Sequence, residues 1–241
     1  MEKYKNKIFN QSCESLMDSM ISDNFKVDLI LTSPPYNTGR LSNSEAARKN
    51  NEARYDIYLD DRTPGQYREW CVELFSKFSN ILKENGVVLW NVSYGNDVTV
   101  NLSGFNVLWL VIADLIERSD FCVADKITWK KKSALPNNVS PNKLTRITED
   151  VFVFCRKSEI KTFYANKRKV SESVHGQIIY ENVYNLIEAA NNDGSNDLNK
   201  ATFSSEFVCK LLKIYAPFDG ERERGDCIRP VYGYRYYRFW R

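Results

Sequence analysis

A proline-rich loop near the N-terminus carries the residues of this sequence that are best suited to chemistry. Residues 31–36 read LTSPPY, which places the Ser33 hydroxyl beside the Pro34 backbone carbonyl in the chain. Two acceptors aimed at both N–H bonds of an aromatic amino group would draw its nitrogen toward tetrahedral geometry. Consecutive prolines stiffen the loop, and the Tyr36 ring offers a surface on which an unpaired base would stack. The alternative is a rigid corner between a strand and a loop, which a bare SPPY tetrapeptide often forms.

Apolar periodicity predicts the strands and helices that would position this loop. Strands are predicted at 26–31, 86–92, 124–129 and 150–154, and helices at 12–20, 64–83, 105–116 and 204–214. The first of these strands leads directly into the LTSPPY loop. Alternating strands and helices over this length argue for a doubly wound α/β sheet.

Composition describes an ordinary globular protein and excludes several classes. Of the 241 residues, 43% are hydrophobic and 27% are charged, and 34 basic against 31 acidic residues leave a net charge of +3. The 6 cysteines are scattered singly and His175 is the single histidine, which argues against a zinc site or a disulfide framework. The N-terminus lacks the apolar core of a signal peptide, and no run of about 18 apolar residues is present. We therefore expect a cytoplasmic protein without a metal site or a membrane span.

The loop sequence LTSPPY resembles motif IV of the DNA amino-methyltransferases, and its early position resembles the β-class order of motifs. Weaker resemblances extend to about residue 220, and they lie at 67–70, 86–90, 127–132, 149–154 and 201–204. The resemblance implies an α/β fold with a Rossmann-like doubly wound mixed sheet of the S-adenosylmethionine-dependent methyltransferase type. It also implies transfer of a methyl group from S-adenosylmethionine to the exocyclic amine of cytosine (N4) or adenine (N6) in double-stranded DNA.

The resemblance also assigns roles to individual residues. The catalytic residues are Ser33, Pro34, Pro35 and Tyr36. The cofactor-binding residues are Ser12, Cys13, Thr32, Thr202, Phe203 and Ser204. In place of residues 11–13 the family usually has a Gly-Asp pair, so the acidic residue is missing here. The DNA-binding residues are Asn37, Lys130, Lys131, Lys132 and Arg168. For the basic residues, phosphate contact is the functional interpretation and a solvated charged face is the alternative.

The glycine-rich cofactor motif of the family is missing from the sequence as written. A strand ending in Asp-Pro-Phe-x-Gly-x-Gly-Thr-Thr should follow the last helix, because its glycines let the backbone approach the cofactor. Instead, residues 221–241 read ERERGDCIRPVYGYRYYRFWR, in which alternating Arg and Tyr could mark a nucleic-acid tail. Back-translation of 226–240, read one base later, allows Ile-Val-Tyr-Asp-Pro-Phe-Met-Gly-Thr-Gly-Thr-Thr-Ala, which is the absent motif. We therefore predict a sheet that is incomplete at its C-terminal end and a frameshifted, prematurely terminated tail.

A repeat in the gene offers an origin for this frameshift. Residues 221–224 (ERER) can be encoded by alternating G and A, and such runs slip during replication. Slippage would switch the gene on and off, whereas a pseudogene or a sequencing error would leave the same trace. Without the strand and its glycine turn, the chain as written is expected to bind S-adenosylmethionine poorly and to be inactive.

The predicted organisation has four segments. Residues 1–157 form the catalytic α/β core, 158–199 a variable target-recognition region, 200–220 the motif X helix that returns to the core, and 221–241 the frameshifted tail. The polar loop 38–61 is expected to join in target recognition. The expected partners are double-stranded DNA, a second copy of the chain and a cognate restriction endonuclease.

Two questions of function stay open in the sequence. Serine at position 33 resembles the cytosine-N4 enzymes, whereas Asp or Asn there is typical of adenine-N6 enzymes, so cytosine is slightly favoured. An RNA or a protein glutamine is a more distant target, because those enzymes usually carry Asn at this position. The alternative from another class is a non-catalytic DNA-binding remnant of a methyltransferase.

Overall fold

The structure is a computed structural model, and it describes residues 3–37, 62–92, 98–99, 102–134, 136, 141, 144–193, 203–217 and 227–228. The helices are α1 (Cys13–Ser22), α2 (Pro64–Ile81), α3 (Gly104–Arg118) and α4 (Ser205–Tyr215). The strands are β1 (Val27–Thr32), β2 (Leu82–Val92), β3 (Val98–Thr99), β4 (Leu102–Ser103), β5 (Phe121–Lys131), β6 (Thr148–Arg156), β7 (Lys169–Glu172), β8 (Ile178–Tyr180), β9 (Leu186–Ala189) and β10 (Cys227–Ile228). A short 3-10 turn, Lys157–Glu159, follows β6.

Six strands form one mixed sheet in the order β10-β1-β2-β6-β5-β9. Strand β1 is parallel to β10 and to β2, β6 is antiparallel to both β2 and β5, and β9 is parallel to β5. Central strands that are covered on both faces read as continuous apolar runs, which accounts for the unbroken burial of residues 86–92. Helices pack on both faces, so the predicted doubly wound mixed α/β sheet is confirmed.

Helices α1, α2 and α3 cover one face of the sheet around an aromatic centre. The Phe75 ring on α2 lies 5.2 Å from Trp90, 5.3 Å from Phe121 and 4.8 Å from Phe154, measured between centroids. Edge-to-face contacts of this kind contribute beyond the area that they bury. They attach α2, which follows the LTSPPY loop in the sequence, rigidly to the middle of the sheet.

A bidentate ion pair joins α2 to α3 beside this centre. Arg68 donates to the two carboxylate oxygens of Asp114 at 2.5 and 2.9 Å, and the Asp114 side chain is only 8% exposed. We expect Asp114→Ala to lower the free energy of unfolding by about 2 kcal/mol, because charge-assisted hydrogen bonds are lost. Urea unfolding measures this change. Glu69→Ala is the control, since Glu69 pairs with Arg118 in solvent and such pairs contribute little. Equal losses in both variants would contradict the prediction.

Helix α4 covers the opposite face of the sheet. The Phe207 ring stacks on Trp129 of β5 at 4.1 Å between centroids, with the ring planes 15° apart. Phe203, Leu211 and the strand residue Leu31 belong to the same buried cluster. Residues 203–217 are therefore anchored on the sheet, as expected for a helix that returns to the core.

Two edge strands of the main sheet come from segments that the sequence prediction placed outside the catalytic core. Strand β9 lies inside the segment 158–199, yet it pairs with β5 in the main sheet. Strand β10 lies in the segment 221–241 and pairs Cys227 with Leu29 and Ile228 with Ile30. This two-residue strand lies at the edge of the sheet beside β1, since an open strand edge accepts any extended segment that reaches it. The rest of 221–241 and the loop 38–61 lie outside the described residues.

Strands β7 and β8 form a separate hairpin. All residues of both strands are exposed, and Val174 between them is 97% exposed. This hairpin is therefore a projection of the segment 158–199 rather than a part of the core. Among the helices that the structure describes, none is long and apolar enough to span a membrane.

Candidate active site

The predicted catalytic residues lie in the loop that leaves β1. Pro34 and Pro35 are buried, whereas Ser33 and Tyr36 are partly exposed. The Ser33 Oγ and Tyr36 Oη atoms are 2.7 Å apart, which is a hydrogen-bond distance. The buried prolines thus fix the loop on the protein, while the Ser33 hydroxyl and the Tyr36 ring remain partly accessible side by side.

The start of α2 fixes this loop from the other side. Tyr67 donates a hydrogen bond from its hydroxyl to the Pro35 carbonyl at 2.7 Å. Asn37, which has a positive φ of 53°, donates from Nδ2 to the Arg62 carbonyl at 2.7 Å. Thr63 caps α2 in a reciprocal capping box, so both anchors sit on an ordered helix terminus. The loop backbone is therefore held at two points, one on each side of Tyr36.

Behind the loop, three polar side chains continue across the sheet from Ser33. Asn91 donates from Nδ2 to Tyr36 Oη at 2.9 Å and to Glu149 Oε2 at 2.9 Å. Lys131 completes the set with an ion pair to Glu149. We call Ser33, Asn91, Glu149 and Lys131 the polar row, because they lie at the ends of the neighbouring strands β1, β2, β6 and β5. The polar row connects a buried ion pair to the accessible loop through Tyr36.

Three predicted cofactor-binding residues lie near the ends of α1 and β1. Ser12 caps α1, with its hydroxyl accepting from the backbone N–H of Ser15 at 3.2 Å. Cys13 is buried, and burial raises the pKa of its thiol, so it stays protonated at neutral pH. Thr32 is the buried last residue of β1. Their contact with a cofactor stays a prediction.

The other predicted cofactor-binding residues lie at the start of α4. Ser204 donates to the Ala190 carbonyl at 2.7 Å and accepts from the Phe207 N–H at 3.3 Å. Phe203 packs against Trp129, with 6.0 Å between the ring centroids. Thr202 lies outside the described residues. The Ser204 hydroxyl thus serves as a helix cap, and its contact with a cofactor stays a prediction.

The basic residues predicted to contact DNA are paired with carboxylates. Lys130 contacts Glu188 at 2.9 Å, Lys132 contacts Glu206 at 3.0 Å, and Arg168 contacts Glu181 at 3.5 Å. Lys131 has only 23% of its side chain exposed, where it pairs with Glu149. Lys130, Lys132 and Arg168 remain accessible for phosphate contact, whereas Lys131 is engaged within the site.

Glu206 on α4 has the most strongly shifted pKa among the described carboxylates. A hydrogen bond from Lys210, then one from the Ala190 N–H and one from Lys132, lower its pKa from 4.5 to about 2. A lowered pKa means that the native state gains stability above pH 4.5 and loses it as the pH falls toward 2. We expect Glu206→Gln to lower the thermal midpoint at pH 7 and to leave it nearly unchanged at pH 2. A difference between the two proteins that stays constant across this range would contradict the prediction.

Three residues of the site were not predicted to act there. Tyr67 was assigned only to the helix 64–83 and Asn91 only to the strand 86–92, whereas Glu149 belonged only to the weaker resemblance at 149–154. Asn91 is fully buried in the apolar run VVLWNV. A polar residue near the end of an apolar run is the sequence signal that could have identified it. Pairing of Asn91 with Glu149 depends on the antiparallel register of β2 and β6, which the sequence does not reveal.

Comparison with known proteins gives consistent matches. The chain is 27% identical over 189 residues to the type II methyltransferase M.BglII of Bacillus subtilis, which is 73% of this chain and 45% of that protein. The chain therefore spans less than half the length of that relative. The PvuII DNA methyltransferase (cytosine-N4-specific) shares the fold with a TM-score of 0.54 and 16% identity, over 85% of this chain and 68% of that one. The M1.HpyAVI–SAM complex has a TM-score of 0.49 and 16% identity, over 87% and 75%.

A family model matches most of the chain. The model of the N6 and N4 DNA methylases covers residues 27–226. That range includes the LTSPPY loop, all of the polar row and α4. Because the match extends over most of the sequence, the chain belongs to the family of N6 and N4 DNA methylases.

Proposed function

We propose that this chain has the architecture of an enzyme that transfers a methyl group from S-adenosylmethionine to the exocyclic amine of a base in double-stranded DNA. The observation that carries the proposal is the anchored loop at the end of β1, with Ser33 Oγ 2.7 Å from Tyr36 Oη and the Pro35 carbonyl held by Tyr67. Open α/β sheets bind their ligands beyond the C-terminal ends of the strands. The loop occupies such a position.

The residues of the loop divide the work between them. The Ser33 hydroxyl and the Pro34 carbonyl accept hydrogen bonds from the two N–H bonds of the target amine, which stabilises charge that develops in the transition state. The Tyr36 ring stacks on the base after it has left the duplex. S-adenosylmethionine supplies the electrophilic methyl group when it is bound. Anchoring by Tyr67 and Asn37 lets the loop meet the base without reorganisation.

Cytosine N4 is the proposed target position, and adenine N6 is the second candidate. Serine at position 33 supports cytosine, because Asp or Asn at this position is typical of adenine enzymes. The exposed β7–β8 hairpin and the basic residues Lys130, Lys132 and Arg168 are proposed to contact the DNA. A homodimer and a cognate restriction endonuclease are further proposals that rest on the family alone.

We also propose that the residues after Gly225 are read in the wrong frame. The residues present do not fit S-adenosylmethionine in full, because residues 221–241 as written lack the glycine motif that would let the backbone approach the cofactor. Beside β1, where the family glycine motif would follow its strand, the described part of the tail contributes only Cys227 and Ile228. Neither residue gives the backbone the freedom of a glycine turn.

Methylation by two versions of the protein tests the proposed function. The first is the chain as written, and the second, here called the restored chain, has the reading frame restored after Gly225. Both are incubated with unmethylated genomic DNA and radiolabelled S-adenosylmethionine, and digestion of the product identifies the base. We expect incorporation only with the restored chain. If neither version methylates DNA, the proposed function is wrong, and equal incorporation by both would contradict the frameshift.

A non-catalytic DNA-binding remnant is the competing function. It is favoured by the missing glycine motif together with the intact loop. Binding of DNA by the chain as written, with no methyl incorporation by either version, would support it. Sequencing the gene across the repeat that encodes 221–224 in several clones separates a switching gene, with variable repeat length, from a fixed defect.

A further inference from the structure

We infer that Asn91, oriented by Glu149, is a positioning residue that sets the direction of the hydrogen bond between Tyr36 and Ser33. This inference rests on the proposed function, because it concerns how Ser33 meets the target amine. Asn91 is not proposed to contact the base. It acts through Tyr36.

Glu149 fixes which way the Asn91 amide faces. A carboxylate only accepts hydrogen bonds, so the atom 2.9 Å from Glu149 Oε2 must be the amide nitrogen of Asn91. The ion pair with Lys131 holds the carboxylate in place from the far side. The Glu149 carboxylate, which is only 8% exposed, therefore fixes the orientation of the Asn91 amide.

The fixed amide then determines the direction of the next hydrogen bond. One N–H of Asn91 points to Glu149, and the other points to Tyr36 Oη at 2.9 Å. With one lone pair of the phenol oxygen accepting from Asn91, we assign Tyr36 as the donor and Ser33 Oγ as the acceptor of the 2.7 Å hydrogen bond between them. Ser33 thus receives a hydrogen bond from Tyr36 and keeps a second lone pair for an N–H of the target amine. The same two bonds hold the Tyr36 hydroxyl, and with it the ring.

Burial of Asn91 supports a role beyond packing. Its side chain is fully buried among Leu89, Val151 and other apolar strand residues. Its amide oxygen has no hydrogen-bond partner within the described part of the chain. An incompletely bonded amide in an apolar layer is unfavourable for stability. The two hydrogen bonds that its amide donates to Tyr36 and Glu149 offer a reason for an asparagine at this position.

An exchange of donor and acceptor tests the inference without changing shape or net charge. The double variant Asn91→Asp/Glu149→Gln places a carboxylate opposite Tyr36, which can only accept from the phenol. The Tyr36 proton then turns away from Ser33. In the restored chain we expect kcat to fall at least about tenfold, with KM for DNA changed less than about threefold. Thermal unfolding verifies that the double variant is folded.

Tyr36→Phe provides the matched control, since it removes the group through which Asn91 acts. In the Tyr36→Phe background the double exchange should have no further effect on kcat, because coupled residues are not additive. Additive losses, or an unchanged kcat in the double variant alone, would overturn the inference. A purely structural role would lower stability in both backgrounds equally and would leave the kinetic coupling at zero.

A second measurement uses the chain as written and does not depend on methylation. The side-chain amide of Asn91, assigned in a nitrogen-15 NMR spectrum by its loss in Asn91→Ser, should shift in Tyr36→Phe and in Glu149→Gln. Amide signals that move in neither variant would overturn the contact itself. If this contact is confirmed while the restored chain methylates no DNA, the proposed function fails, and the role of Asn91 in methylation fails with it.

Discussion

Ser33→Ala in the restored chain is expected to lower kcat for DNA methylation by about 10²- to 10³-fold, the loss typical of removing one preorganised group that stabilises the transition state. The amine of a base is a weak nucleophile because its lone pair is delocalised into the ring. Its nitrogen gains nucleophilicity only as it becomes tetrahedral. The Ser33 hydroxyl accepts a hydrogen bond from one N–H group of the amine, and this hydrogen bond strengthens as the transition state forms. The loss should therefore fall on kcat rather than on KM.

Two further variants show whether this loss belongs to Ser33. Ser22→Ala removes an exposed hydroxyl at the end of α1 that donates to the Asp18 carbonyl, outside the candidate site, so it should leave kcat unchanged. Tyr67→Phe removes the hydrogen bond to the Pro35 carbonyl, and a smaller loss is expected because the prolines still restrict the loop. A kcat for Ser33→Ala within about threefold of the parent would mean that the hydroxyl does not stabilise the transition state.

Most of the core could be predicted from the sequence, because local signals and burial agree there. The helix predicted at 64–83 is α2, Pro64–Ile81, and it starts where Thr63 and Pro64 provide a cap and a first-turn proline. The strand predicted at 150–154 is β6, whose central residues are buried on both faces. Such helices and strands can be predicted without knowing which elements they pack against, since the spacing of their apolar residues indicates which side chains are buried.

The parts that could not be predicted depend on partners distant in the sequence. Asn91 and Glu149 are 58 residues apart and meet only because β2 and β6 are antiparallel in one register. Lys131 was predicted to contact phosphate, yet its partner in the structure is set by this same register. A surplus of lysines is visible in a sequence, but whether each lysine faces solvent or a carboxylate is decided by strand pairing.

The C-terminal segment illustrates a different limit. Two residues, Cys227 and Ile228, add to the sheet beside β1. Backbone pairing requires little of side chains, so a segment read in the wrong frame can still form a short strand. The glycine turn of the family motif requires glycine at defined positions. A shift of the reading frame changes these residues, although the altered segment can still pair as a strand. A strand at this edge is therefore no evidence that the cofactor site is complete.

The chain as written is expected to show no calorimetric binding of S-adenosylmethionine at micromolar concentrations, whereas the restored chain should bind it there. The reason is geometric: the glycines of the family motif leave the backbone open to the cofactor, and residues 221–241 as written lack that motif. Binding also stabilises the native state, by about 2.7 kcal/mol at a ligand concentration one hundred times Kd. A rise in the thermal midpoint of the restored chain alone is the second readout.

A version that stops after Pro217 separates two causes of the same failure. It removes the tail without supplying the glycine motif, so it should bind no better than the chain as written if the motif is what is missing. Binding by this shortened version would mean instead that the tail obstructs a site that is otherwise sufficient. Micromolar binding by the chain as written would contradict both accounts, because Ser12, Thr32 and the start of α4 would then hold the cofactor without any glycine turn.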